Sequence, residues 1–184
     1  DFGEIAQELN LKKHASGILN ADFDVSGNHT SFRGFLKTLT GAVTVSMGSG
    51  SIDTQLLDVA GLGIIPWLFT KDKGQAAPIV CALAPLNFKN GYVSSKRIVV
   101  ETDDVQIVVY GGADLGNMTL DITGQPRKIG KPLSRSPWPF TLTGPIVKPT
   151  VNVKDGPKRL ARSDGASTMP QQRRACIPDI LQLR

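Results

Sequence analysis

The chain carries two histidines, His14 and His29, and a Ser-His-Asp arrangement would need one of them as its base. His14 falls in a linker and His29 in a loop beside Asn28. Gly48-Ser49-Gly50-Ser51 has the small residues of a nucleophile elbow without the Gly-x-Ser-x-Gly spacing, and its composition is that of a hairpin turn. Two carboxylate pairs, Asp22/Asp24 and Asp103/Asp104, have the residue types of a glycosidase site. The first points outward from a strand and the second sits in a turn, places where acids are ordinarily solvated. The sequence has no phosphate loop of the GxxxxGK[ST] type and no dinucleotide fingerprint after a strand. The expectation is a protein that is not an enzyme and uses no cofactor.

Two cysteines, Cys81 and Cys176, lie 95 residues apart with no CxxC spacing and no histidine partner, so no metal site is expected. They are either two free thiols or the ends of one long-range disulfide, and an oxidising compartment favours the bridge. The bridge would pin an otherwise loose C-terminal stretch to a core strand.

The elements that must position these residues are mostly strands. Residues 17–26 alternate: Ile18, Asn20, Asp22 and Asp24 lie on one side, and Leu19, Ala21, Phe23 and Val25 on the other. Residues 31–40 read as a helix, with Ser31 as N-cap, Phe32, Phe35, Leu36 and Leu39 on one face, and Gly41 available to end it. A further short helix is expected over 2–11, where Phe2, Ile5, Ala6 and Leu9 share a face. Residues 42–47 and 51–58 read as two strands separated by a Gly48-Ser49-Gly50 hairpin. The apolar run at 56–69 reads as buried core or a short closing helix, with lipid contact as the other reading; it is too short to span a bilayer. From residue 77 a meander is predicted, with strands at 78–89, 92–102, 105–112, 117–124, 138–144 and 148–154. A Pro-rich break falls at 125–137.

One face of this meander is oily and the other wet, strand after strand. The chain therefore reads as a mainly β protein: a curved, mostly antiparallel sheet, an open groove or half-barrel, with two or three short helices covering its concave face or end. Its sheet domain spans residues 1–154, and residues 155–184 form a basic, irregular tail packed in part by Ile177, Ile180, Leu181 and Leu183. The side chains drawn from the alternating strands as candidates to line the groove are Val99, Ile107, Val109, Met118, Leu120, Ile122, Phe140 and Leu142. Which strand parity faces inward depends on the register.

Composition narrows the function classes. Nineteen Gly and twelve Pro favour many turns over a helical bundle. The net charge of +5 resides in the tail: residues 1–153 carry 14 basic and 13 acidic side chains, and residues 154–184 carry seven and three. A near-neutral body with 6% aromatic residues argues against nucleic acid as a partner. The start at Asp1, within an amphipathic stretch, reads as that of a piece of a longer protein, with any anchor or targeting signal upstream.

The order of the segments resembles the C-terminal region of AsmA-family proteins of Gram-negative envelopes. Four pieces carry the resemblance: HASGILNADFDVSG at 14–27, SFRGFLKTLTGAVTVSMGSGSID at 31–53, NFKNGYVSSKRIVVETDDVQIVVYGGADLGNMTLDITGQPRK at 87–128, and PFTLTGPIVKPTVNVKD at 139–155. The resemblance implies a periplasmic protein whose parent is anchored in the inner membrane by one N-terminal helix. It also implies a long curled sheet with a hydrophobic groove, and a part in phospholipid binding or transfer and outer-membrane homeostasis. The expected partners are phospholipid acyl chains and, as a further option, other envelope proteins. This chain departs from the pattern in having no anchor and only a short stretch of sheet, as a terminal piece of a groove would. The alternatives are a structural or docking module for envelope assembly and, behind it, an envelope glycan hydrolase.

Overall fold

The computed structural model describes residues 15–53, 76–131, 138–153 and 172–177. These residues form one open sheet of eight antiparallel strands in sequential order, each paired with the next. The strands are β1 (Ala15–Ser26), β2 (Thr40–Asp53), β3 (Ala76–Lys89), β4 (Tyr92–Thr102), β5 (Val105–Asp114), β6 (Thr119–Lys128), β7 (Phe140–Pro145) and β8 (Thr150–Val153). β1 and β8 are the two lateral margins, so the sheet does not close into a barrel.

Among the described residues there is one helix, α1 (Phe32–Thr38), where two or three were expected. The segment expected as a helix at 2–11 and the apolar run at 56–69 lie outside the described residues. So does most of the stretch at 155–184. Ser31 caps α1 as its side chain predicts: Ser31 Oγ accepts from Gly34 N at 3.2 Å, and Ser31 O accepts from Phe35 N at 2.8 Å. Gly41 does not end the helix. It belongs to β2 at φ +132°, where a Cβ would run into the backbone of Asp24 and Val25 on β1. The helix lies across one end of the sheet, with Gly91 N donating to Leu39 O at 2.9 Å.

The hairpin expected at Gly48-Ser49-Gly50 is absent. β2 runs unbroken through these residues, because both neighbours pair with it there: Gly50 lies opposite Gly17 of β1 and Ile79 of β3. Small residues let the backbones approach, and a Cβ on Gly17 would meet the Met47 methyl at 2.7 Å. The Pro-rich break also starts later than expected, since β6 continues to Lys128. Pro126 is tolerated because β7 pairs with β6 only up to Gly124, leaving β6 with one described neighbour beyond that point.

β4 contains an irregularity between Ser95 and Ile98, where it carries one more residue than β5 does between Gly111 and Val109. Pro85 of β3 lies in the stretch opposite and has no N–H to donate. The Ser95 hydroxyl donates to Pro85 O at 2.6 Å and accepts from Arg97 N at 3.2 Å, so one side chain serves the backbone groups that the bulge frees.

Candidate functional site

Residues directly opposite each other in an antiparallel pair point to the same face, so the register sorts every strand. Starting at β7, Phe140 pairs with Gly124 and Leu142 with Ile122 of β6. Ile122 pairs with Gly111, Gly124 with Val109 and Pro126 with Ile107 of β5. Val109 and Ile107 pair with Ile98 and Val100 of β4, and Val100 with Ala82 of β3. Ala82, Ala84, Leu86 and Phe88 pair with Met47, Val45, Val43 and Gly41 of β2, which pair with Leu19, Ala21, Phe23 and Val25 of β1. At the other margin Phe140 and Leu142 pair with Val153 and Val151 of β8. One apolar face thus runs through all eight strands, interrupted by few polar side chains.

The apolar face is not equally covered along its width. It is packed over β5 to β8: Val105, Ile107, Phe140 and Leu142 are buried together, with Val109, Leu120, Ile122 and Val151 against them. Side chains on β1 and at the end of β8 are open. Phe23 is 71% exposed on β1, and Val25 and Val153 are also exposed. The packed part closes over small residues. The Phe140 ring sits where a side chain on Gly124 would begin, so β6 leaves room for it.

The eight candidate groove residues divide accordingly. Ile107, Val109, Leu120, Ile122, Phe140 and Leu142 share the apolar face and one cluster. Val99 does not: it pairs with Val108 and Leu83 on the opposite face, fully buried. The β4 bulge is the reason, because the extra residue between Ser95 and Ile98 inverts the parity that Val93 and Ser95 set. Met118 is not in a strand. It lies in the turn between β5 and β6 at φ +54°, with its carbonyl accepting from Ile146 N at 2.8 Å. Val105 and Val151 belong to the cluster and were not among the candidates; the same period-two alternation marks both.

The second face mixes buried apolar side chains (Ile79, Val99, Val108) with polar ones and carries the chemistry-bearing residues. Asp22 and Asp24 lie exposed on β1, opposite Thr44 and Ala42. Asp103 and Asp104 form the exposed turn between β4 and β5. His29 Nδ1 accepts from Ser31 N at 3.1 Å and lies 3.2 Å from Ser31 Oγ, and its ring packs over Gly34. Its interactions therefore belong to the start of α1.

Cys81, Glu101, Gln106 and Arg127 stand in one cross-strand row over β3, β4, β5 and β6. The segment 172–177 is fastened to this row. Cys176 is joined to Cys81 by a disulfide with a Cα–Cα distance of 6.0 Å, within the usual range for such bridges. Arg173 meets Glu101 through both terminal nitrogens, Nη1 to Oε2 at 2.9 Å and Nη2 to Oε1 at 2.8 Å. Glu101 Oε2 also accepts from Cys176 N at 2.9 Å and Gln106 Nε2 at 2.7 Å. Bidentate geometry and two further donors satisfy a buried carboxylate fully. Cys81, Glu101 and Cys176 bring potential metal-ligand atoms within 4.8 Å of one another, but the two sulfurs are bonded to each other. The cluster is a fastening rather than a metal centre.

The chain is 26% identical over 158 residues to the AsmA family protein YhjG of Escherichia coli (strain K12), a stretch that covers 84% of this chain and 23% of that relative. The chain therefore spans about a quarter of the length of the relative it matches. No family model matches the chain, and no solved structure matches it significantly.

Proposed function

From this distant relationship to the AsmA family, we propose that the chain is a non-enzymatic lipid-handling module of a Gram-negative envelope protein. In this reading the apolar face holds phospholipid acyl chains, and the module serves phospholipid binding or transfer and outer-membrane homeostasis. The module works in the periplasm, within a parent anchored in the inner membrane. The observation that carries the reading is the continuity of the apolar face through eight strands, packed over β5 to β8 and exposed at Phe23, Val25 and Val153. Acyl chains need apolar area and few polar contacts. A sheet with one oily face offers that wherever no other layer covers it.

The test is native mass spectrometry of the gently purified chain, with lipid extraction of the same sample. Near-stoichiometric phospholipid, reduced in Leu120→Asp and in Phe23→Asp, supports the reading. The second variant replaces a side chain already exposed, so it keeps the fold. A folded chain that is free of lipid and takes none up from vesicles overturns it. A second reading, a docking module for envelope assembly, draws on β1 as a margin strand with an exposed aromatic side chain; strand addition would use that margin.

A further inference from the structure

β1, β3, β5 and β7 finish at the same end of the sheet where β2, β4, β6 and β8 begin. That end comprises α1 with its flanks (residues 26–40) and the turns at 89–92, 114–119 and 145–150, all of them described. Backbone hydrogen bonds join the four segments in succession. Gly91 N donates to Leu39 O at 2.9 Å, Leu115 N to Gly91 O at 2.9 Å, and Ile146 N to Met118 O at 2.8 Å. The result is a preorganised rim rather than four independent loops.

The rim displays large apolar side chains to solvent. Phe32 of α1 is 79% exposed and Val147 of the last turn 83%, with Met118 and Tyr92 exposed between them. Arg33, Lys37, Lys89 and Lys148 stand exposed in the same segments. Their one acidic side chain, Asp114, is engaged in its own turn, accepting from Gly116 N at 2.8 Å and Asn117 N at 2.9 Å.

We propose that this rim docks on an anionic bilayer surface, with Phe32 and Val147 entering the headgroup region and the four cations meeting lipid phosphates. The charge is complementary to such a surface, and exposed apolar side chains beside Lys and Arg are what interfacial binding uses. The arrangement disfavours a protein partner. Protein interfaces bury a contiguous apolar centre depleted in lysine, whereas here Phe32, Tyr92 and Val147 each have a cation within their own segment. A fluid interface accepts such tips separately. The proposal goes beyond the lipid-handling reading and does not need it, since the rim lies at the strand ends and not on the apolar face.

The test is cosedimentation of the chain with vesicles of equal parts phosphatidylethanolamine and phosphatidylglycerol, against vesicles of phosphatidylcholine. The expected result is binding to the anionic vesicles that weakens with salt, with Lys148→Gln lowering the partition about fivefold, as removal of one basic residue near an anionic surface does. Phe32→Ser with Val147→Ser should abolish most binding. Ile18→Ser, an exposed apolar change near the start of β1 at the opposite end of the sheet, should leave binding unchanged. Co-purifying lipid in the rim variants should stay at the wild-type level, which separates docking from occupancy of the apolar face. Absence of binding to anionic vesicles, or an equal loss in Ile18→Ser, overturns the proposal. Self-association that the rim variants abolish, without vesicle binding, gives the surface to a second copy of the chain and also overturns it.

Discussion

Arg173 and Glu101, 72 residues apart in sequence, meet through two parallel hydrogen bonds on the sheet face opposite the Phe140 cluster, both side chains nearly buried. Glu101→Gln keeps the shape of the side chain and removes its charge, leaving the guanidinium without its counterion. Breaking a buried pair on one side costs about 3–5 kcal/mol. The midpoint of urea unfolding should fall accordingly with an unchanged slope. Arg173→Met, which removes the other charge, should lose less when combined with Glu101→Gln than the two single changes sum to.

The Cys81–Cys176 bridge closes a 95-residue separation. In the chain-entropy model such a loop is worth about 4–5 kcal/mol, with the mechanism disputed. Reduction, or Cys81→Ser with Cys176→Ser, should lower the unfolding midpoint by that order. The effect should be strongly non-additive with Glu101→Gln, since both act on the segment 172–177. Additive losses would show that the bridge and the ion pair act separately.

Phe140 over Gly124 gives a prediction with two arms. Phe140→Ala removes a buried ring and should cost about 3–5 kcal/mol. Gly124→Ala adds a methyl where the ring lies and should cost about 1–3 kcal/mol by overpacking. Paired with Phe140→Leu, the Gly124→Ala change should become milder. Thermal unfolding of the three variants checks this.

Asp114 supplies the pH dependence of the β5–β6 turn. Backbone and side-chain hydrogen bonds from Asn117, then the Gly116 N–H and the nearby Lys37, hold its carboxyl below the ordinary aspartate value. A depressed folded value means that the contribution to stability is present above the ordinary value and is lost as pH falls through the folded one. The amide resonances of Gly116 and Asn117 should therefore titrate together, with a midpoint below that of a free aspartate. Asp114→Asn should remove that titration.

Particular residues show what could be read from sequence and what could not. The alternation of Leu19, Ala21, Phe23 and Val25, or of Leu120 and Ile122, is visible without coordinates because period two is local. Ser31 as N-cap is equally local. Val99 escaped because its face depends on one extra residue in β4, and a bulge shows only against its partner strand. Met118 sits one residue before β6, where its left-handed backbone breaks the period that Leu120 begins. Gly48-Ser49-Gly50 has turn composition, yet it is strand because β1 and β3 pair across it, a tertiary constraint that composition does not carry. The rim was illegible for the same reason. Phe32, Lys89, Met118 and Val147 come together only once the strand order is known.

The disulfide also divides the molecule by connectivity. Residues 81–176 form a covalent ring that contains most of β3 and all of β4 to β8, while β1, α1 and β2 lie outside it. Strands inside the ring remain tethered to one another even if one of its peptide bonds is cut. Those outside keep only hydrogen bonds and packing once the backbone between them and Cys81 is cut. Fraying, proteolysis or a mechanical pull should therefore strip the sheet from the β1 margin inward and stop at β3.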